Sequence, residues 1–315
     1  MKKAPVIILL ACISVWLCSC NKFTVGEIIE ETRHLDESFQ VIEIRDDIDV
    51  SLRHCTADNA AGTIHIKTGE NLIDELNTTT VPHTEINDGD TLSFTKLVIT
   101  NDNVYNNLRP HNHAPQMTVY YDTLLKIILY SNAQNVSTDT LRGYNFSTHF
   151  ISQDTIEWDS LAPNLLLEVE GGSGNFNALA NCYKLTAKCT HGTSNLTIKG
   201  KATLASTYAD YDCHGVIDCK ELDTHIHYIT TYGTNIIKAR AYHLLDVKNS
   251  NIGSVQYTKY RTTREVYQWN DSLHQVDTII QRILCPEVIY YNGDYIDIWT
   301  YNNDENSVPG LVVEP

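Results

Sequence analysis

The chain is predicted to be all-β, a parallel β-helix solenoid with coils of roughly 20 residues, and three observations predict it. The first is apolar–polar alternation at period two. It runs through Phe39-Gln40-Val41-Ile42-Glu43-Ile44, Ile48-Asp49-Val50-Ser51-Leu52 and Gly62-Thr63-Ile64-His65-Ile66-Lys67. The second is a repeat beginning near residue 120. Leu125, Phe146, Leu166, Leu185, Leu204, Ile226 and Leu245 open successive β runs, and Phe176, Leu196, Ile217, Ile236 and Val255 form a second series. The third is the composition of the corners. Asn175, Asn195 and Asn235 sit in Gly/Ser/Thr-rich turns, where glycine and asparagine accept left-handed backbone angles at little steric cost. A coil this short cannot hold the four strands of a propeller blade. Leucine-rich repeats need helical segments and a denser leucine pattern. In a β-helix, equivalent inward residues of successive coils stack into one continuous core.

The elements follow in chain order. Residues 1–19 read as a lipoprotein signal peptide. Lys2 and Lys3 form the positive n-region, and Pro5 to Leu17 is apolar, shorter than the roughly 20 residues a spanning helix needs. Leu17-Cys18-Ser19-Cys20 resembles a bacterial lipobox, which makes Cys20 the expected lipidation (palmitate-type) site. Acyl chains anchor a soluble domain at about 0.8 kcal/mol per buried methylene. Residues 20–37 read as a lipid-anchored tether and 38–301 as the β-helix. Glu70 to Leu76 is the one stretch suited to a helical turn, and Asn87-Asp88-Gly89-Asp90 is a turn signal. An insertion covers about 258–286, and 302–315 read as a polar C-terminal tail. No segment after the signal is long and apolar enough to span a membrane.

Composition narrows the partners. Lys+Arg is 23 against 39 Asp+Glu, a net charge of −16, so nucleic acid is not an expected partner. Six of the nine cysteines remain once Cys12, Cys18 and Cys20 are set aside: Cys55, Cys182, Cys189, Cys213, Cys219 and Cys285. An even number in an exported chain permits disulfides, and buried thiols are an equal reading. Cys213–Cys219 is the favoured local pair. No C-x-x-C motif supports a redox or zinc-ribbon site.

Several blocks, in order, carry a family resemblance. They are Phe39 to Ile44 with Asp47 to Leu52, Gly69 to Leu76, Asn87 to Leu92, the Gly/Ser/Asn coils, and Val288-Ile289-Tyr290-Tyr291-Asn292-Gly293-Asp294. The chain resembles the Bacteroidetes-type putative auto-transporter adhesin, head GIN domain family over about residues 35–300. That resemblance implies a right-handed β-helix on an exported, often lipid-anchored protein, and it carries over no catalytic residues. The insertion after Tyr257 and the sparse glycines of 125–165 depart from the family pattern.

Three residue classes in the chain could carry chemistry. Among 13 histidines, His225-x-His227 is the pair expected to share one strand face. His111-x-His113, Cys189-x-His191 and Cys213-His214 show no third partner, so no metal and no cofactor are expected. Among carboxylates, Asp154, Glu157, Asp159, Glu168 and Glu170 are the candidates for a glycoside-cleaving pair, with a solvated strand face as the competing reading. The 18 tyrosines outnumber the 6 phenylalanines, and tyrosine suits both β-sheet and contact surfaces. Tyr105, Tyr120, Tyr121, Tyr130, Tyr208, Tyr211, Tyr228, Tyr232, Tyr290, Tyr291 and Tyr295 belong to this set. The expected ligand-binding residues are Tyr257, Tyr260, Tyr267 and Trp269.

The expectation is therefore a non-enzymatic, lipid-anchored binding or adhesin-like module for a glycan or envelope protein. The alternatives are a polysaccharide lyase or hydrolase on a β-helix, and a passive envelope assembly component. The membrane is a partner through the lipid. Asn21-Lys22-Phe23 carries no acidic cluster, which favours a periplasm-facing outer-membrane protein over a surface-exposed one.

Overall fold

The computed structural model describes residues 25–87, 90–103, 114–130, 135–142, 144–145, 163–270, 275–297 and 309–314. Cys20, the residues 1–19 expected to form a signal, His111, His113, Phe146, Asp154, Glu157 and Asp159 lie outside them. Among the described residues the regular structure is strand, with one short 3₁₀ turn at Ile73–Glu75. No helix among them is long and apolar enough to cross a membrane.

The N-terminal half contributes β1 (Ile28–His34), β2 (Val41–Ile44), β3 (Asp49–His54), β4 (Thr63–Gly69), β5 (Leu76–Asn87), β6 (Asp90–Asn101), β7 (Gln116–Tyr121), β8 (Lys126–Leu129), β9 (Asn135–Arg142) and β10 (Tyr144–Asn145). The repeat region follows with β11 (Pro163–Val169), β12 (Asn175–Gly192), β13 (Asn195–Cys213), β14 (Val216–Thr231), β15 (Ile236–Ala239), β16 (Leu244–Asn249) and β17 (Ser254–Thr258). The chain ends with β18 (Tyr260–Asn270), β19 (Gln275–Cys285), β20 (Val288–Tyr291), β21 (Asp294–Ile296) and β22 (Leu311–Glu314).

Two parallel ladders organise these strands. The first runs β6, β2, β8, β11, the second halves of β12, β13 and β14, then β16 and β20. The second runs β7, β3, β9, the first halves of β12, β13 and β14, then β15, β17 and β22. The three long strands serve both ladders because each turns a corner midway. In β12 the buried positions are Phe176, Ala178, Ala180 and Cys182, then Leu185, Ala187 and Cys189. That change of parity places the corner at Tyr183-Lys184, where two successive residues stay outside.

Between the ladders lies one continuous core. Leu165, Leu185, Ala205, His227, Leu245 and Ile289 stack strand to strand on the first ladder. Phe176, Leu196, Ile217, Ile237, Val255 and Leu311 stack on the second. Burying each of the larger side chains contributes roughly 1.5–3 kcal/mol. The sequence repeat was one residue out of step in places. Leu166, Leu204 and Ile226 are only partly buried, and Ile236 is exposed beside the buried Ile237. Strand corners put two apolar residues in succession, and a spacing of about 20 cannot say which of them points inward.

Other expectations need correction. The parallel arrangement does not run throughout, since the sheet is mixed. Antiparallel pairings join β1–β4, β4–β7, β5–β6, β10–β11 and β20–β21. The 20–37 tether contains β1, whose alternating Ile28 to His34 pairs with β4. The 302–315 tail contains β22, whose Leu311-Val312-Val313 adds to β17. The disulfide is Cys189–Cys213, not Cys213–Cys219. Cys189 lies three residues before the end of β12 and Cys213 ends β13, and across the register shift that follows Cys189 their Cα atoms are 6.0 Å apart, while Cys219 is a buried free thiol on the next strand.

Two hairpins extend beyond the stacked core, to which they contribute Leu97 and Ile99 of β6 and Leu284 of β19. β5–β6 brings Phe94 and Leu92 over Val41, Leu125 and Ile128 in a small second cluster on the outside of the first ladder. β18–β19 forms a separate two-stranded sheet between β17 and β20.

Candidate functional site

The outer surface of the first ladder divides into a charged half and an aromatic half. In the charged half, Glu43 is buried between Arg45 and Lys96, with Lys96 Nζ 2.6 Å away. Lys126 Nζ lies 2.7 Å from Glu168 and 3.1 Å from Glu85, and Lys188 closes on the other Glu168 oxygen. Burial alone would raise the Glu168 pKa. Hydrogen bonds and charge from Lys126 and Lys188 outweigh it and hold the carboxyl below its usual range. Glu85 is lowered likewise, against its own burial, by His83 and Lys126. Glu170 accepts the Tyr130 hydroxyl, a bond that, with burial, pushes that phenol up to about 12. Glu168 is therefore an ionised, lysine-clamped carboxylate. A glycosidase acid needs the opposite shift. The two lysines therefore do not suit Glu168 to the acid role of a glycoside-cleaving pair.

In the aromatic half, strand alternation turns tyrosines outward on adjacent strands. Ser206, Tyr228, Asp246 and Tyr290 form one transverse row, and Lys188, Tyr208, Thr230 and Lys248 form the next. Tyr232, just past β14, has its ring 5.9 Å from that of Tyr208 and 5.3 Å from that of Tyr211. Tyr211 is 62% exposed and Tyr295 59%. Tyr295 meets Tyr290 edge-on at 6.1 Å. At the neighbouring corner the His225 ring stacks on His243 at 5.2 Å and on Tyr242 at 5.7 Å. These π-faces, with Lys188, Lys248, Asp210 and Asp246 among them, form a flat amphipathic surface. Flat aromatic faces beside hydrogen-bonding groups can stack on sugar rings or on the side chains of another protein.

The site residues expected from sequence lie elsewhere. Tyr257 is fully buried, because it occupies the inward parity of β17 together with Val255. Tyr260 is half-buried at the root of the hairpin, with the Arg240 guanidinium 4.4 Å above its ring. Tyr267 and Trp269 lie on β18 opposite Thr278 and Val276, and their side chains are outside the described residues. His225 and His227 do not share a face. The β14 corner falls between them, so His225 is exposed and His227 wholly buried. Burial pushes the His227 imidazole down to about 4, so it is neutral, and its Nε2 lies 2.9 Å from Thr207 Oγ1. Cys189 and Cys213 are spent on the disulfide. His214 pairs with Thr234, and His191 lies near Asp212. Tyr208, Tyr211, Tyr228, Tyr232, Tyr290 and Tyr295 were visible as tyrosines, but their common surface was not.

No curated protein matches the chain. A crystal structure of a putative adhesin from Bacteroides fragilis is similar, with TM-score 0.52 and 15% identity, covering 74% of this chain and 88% of that one. That likeness concerns the fold alone. A putative lipid binding protein from Parabacteroides distasonis matches at TM-score 0.41 and 16% identity over 73% of this chain and 89% of that one. A putative adhesin from Parabacteroides merdae matches at 0.38 and 17% over 74% and 89%. Residues 38–259 match the family described as "Putative auto-transporter adhesin, head GIN domain", and the chain belongs to that family.

Proposed function

We propose that this protein is a non-catalytic, lipid-anchored cell-envelope binding module that grips a glycan or an envelope protein with its outer tyrosine face. In this reading the coils form a right-handed parallel β-helix. Cys20 carries the lipid, and the body faces the periplasm from the outer membrane. The observation that carries the binding role is the Tyr208–Tyr211–Tyr232 cluster, in which Tyr211 is exposed and the other two rings are partly exposed, together with the exposed Tyr228, Tyr290 and Tyr295 on the same ladder. Family membership supports it, and so does the commitment of Glu168 to two lysines. The Cys189–Cys213 disulfide supports folding in an oxidising compartment.

The test is the purified chain on a broad glycan and envelope-protein array, with binding and sugar release read from the same wells. Binding without release is expected. Release of new reducing or unsaturated ends would overturn the non-catalytic reading. Palmitate labelling in cells, lost in Cys20→Ala, tests the anchor.

A further inference from the structure

We infer that His54, Cys55 and Asp122 form a binding site for a borderline-soft divalent cation of the Zn²⁺ class, separate from the tyrosine face. One ligand atom from each residue lies within 4.8 Å of the other two, and Cys55 Sγ is 3.9 Å from Asp122 Oδ1. Zn–S bonds of about 2.3 Å and Zn–N or Zn–O bonds of about 2.0–2.2 Å set tetrahedral ligand atoms ~3.6 Å apart. The three groups thus need only small side-chain rotations to close on one ion.

The backbone builds this convergence. Neighbouring residues of a strand point to opposite faces. His54 and Cys55 can meet because β3 ends at His54 and the chain then turns. Parallel pairing of β3 with β7 sets His54 opposite Tyr121, and the Cys55 amide donates to the Tyr121 carbonyl at 2.7 Å. That register delivers Asp122 beside the thiol. The buried Tyr121 ring holds the His54 imidazole edge-on at 5.8 Å, and His54 Nδ1 is 3.1 Å from the Cys55 carbonyl. A partner on one ring nitrogen orients a ligating histidine and fixes its tautomer. The loop beyond is pinned too, since Thr56 N–H donates to Asn59 O and His65 meets Asn59 Oδ1 at 2.8 Å.

The donor set selects the ion. A thiolate with an imidazole suits Zn²⁺ and its neighbours and disfavours Mg²⁺ and Ca²⁺, which take oxygen ligands. Three protein ligands leave one position for water. Cys55 is also the one free thiol among the described residues that is not buried. It is unpaired in a chain that forms another disulfide, and bound metal would shield it from oxidation.

The test uses the full chain with its Cys189–Cys213 disulfide intact, stripped with chelator, then titrated with Zn²⁺ or Co²⁺. One equivalent per chain is expected, with a Co²⁺–thiolate charge-transfer band. Cys55→Ser should abolish the band. Asp122→Asn and His54→Gln should each weaken binding by ~10-fold or more. His191→Gln, an exposed histidine elsewhere, should change nothing. Unchanged thermal unfolding of the apo variants shows that the fold is intact. Zn²⁺ should also slow alkylation of Cys55. A Co²⁺ spectrum unaffected by Cys55→Ser would overturn the site. So would fast alkylation that ignores Zn²⁺ but falls in His54→Gln, which would make Cys55 a thiol nucleophile instead.

Discussion

His227 Nε2 lies 2.9 Å from Thr207 Oγ1, and both side chains are sealed inside the core on neighbouring strands. Burial disfavours the imidazolium and pushes the folded-state pKa down to about 4, against a reference of 6.5. Between these values the unfolded chain binds the extra proton. Stability is therefore full above about pH 6.5 and falls as pH drops towards 4, by on the order of 3 kcal/mol. Urea unfolding at pH 7.5 and pH 5 checks this. His227→Leu should flatten the difference, because its strand neighbours Ala205 and Leu245 are apolar. Equal pH sensitivity in both proteins would rule out His227 as the source.

Glu168 is predicted to be structural. Glu168→Gln removes the charge that Lys126 and Lys188 share, and should cost about 2 kcal/mol in chemical unfolding. Because the Glu168 and Glu85 pKa values are lowered, their contribution is present above about pH 4.5 and is lost as pH falls through the folded values. Ligand binding should be unchanged in the variant. Loss of binding at unchanged stability would return Glu168 to the site.

The disulfide closes 24 residues of chain between successive long strands. Cys189→Ser with Cys213→Ser should lower stability by about 3 kcal/mol, read as a lower urea midpoint. Cys219→Ala should leave non-reducing peptide maps unchanged. A Cys213–Cys219 peptide in those maps would contradict the pairing.

Gly200 has φ +109°, and a Cβ there would lie 2.1 Å from the Ala180 carbonyl oxygen of the adjacent strand. Gly200→Ala should destabilise by roughly 1–3 kcal/mol in thermal unfolding, more than a surface substitution does. An unshifted melting temperature would show that the strand can retreat.

Much of the architecture was legible because period-two alternation and corner composition are local signals. Asn195 shows this directly: its amide donates to Asn175 Oδ1 at 3.1 Å, one repeat back. What failed was parity at corners. Tyr257 and His227 look like any outward tyrosine or histidine until the preceding turn is known, and the β14 corner lies only two residues from His227. Long-range pairings were hidden for another reason. Asp122 meets Cys55 through strand register across 67 positions, and the repeat of 20 says nothing about β3 and β7. The tyrosine face was half legible. Its residues were counted, but their shared surface depends on which side of each corner they fall.

The most direct test of the binding face is the affinity of the best array ligand for wild type and for Tyr211→Ala/Tyr232→Ala, with Trp269→Ala as a control on the hairpin. The account predicts that the double variant keeps its melting temperature and loses ~10-fold or more in affinity, while Trp269→Ala binds as wild type does. Full affinity in the double variant, or loss only in Trp269→Ala, would contradict it.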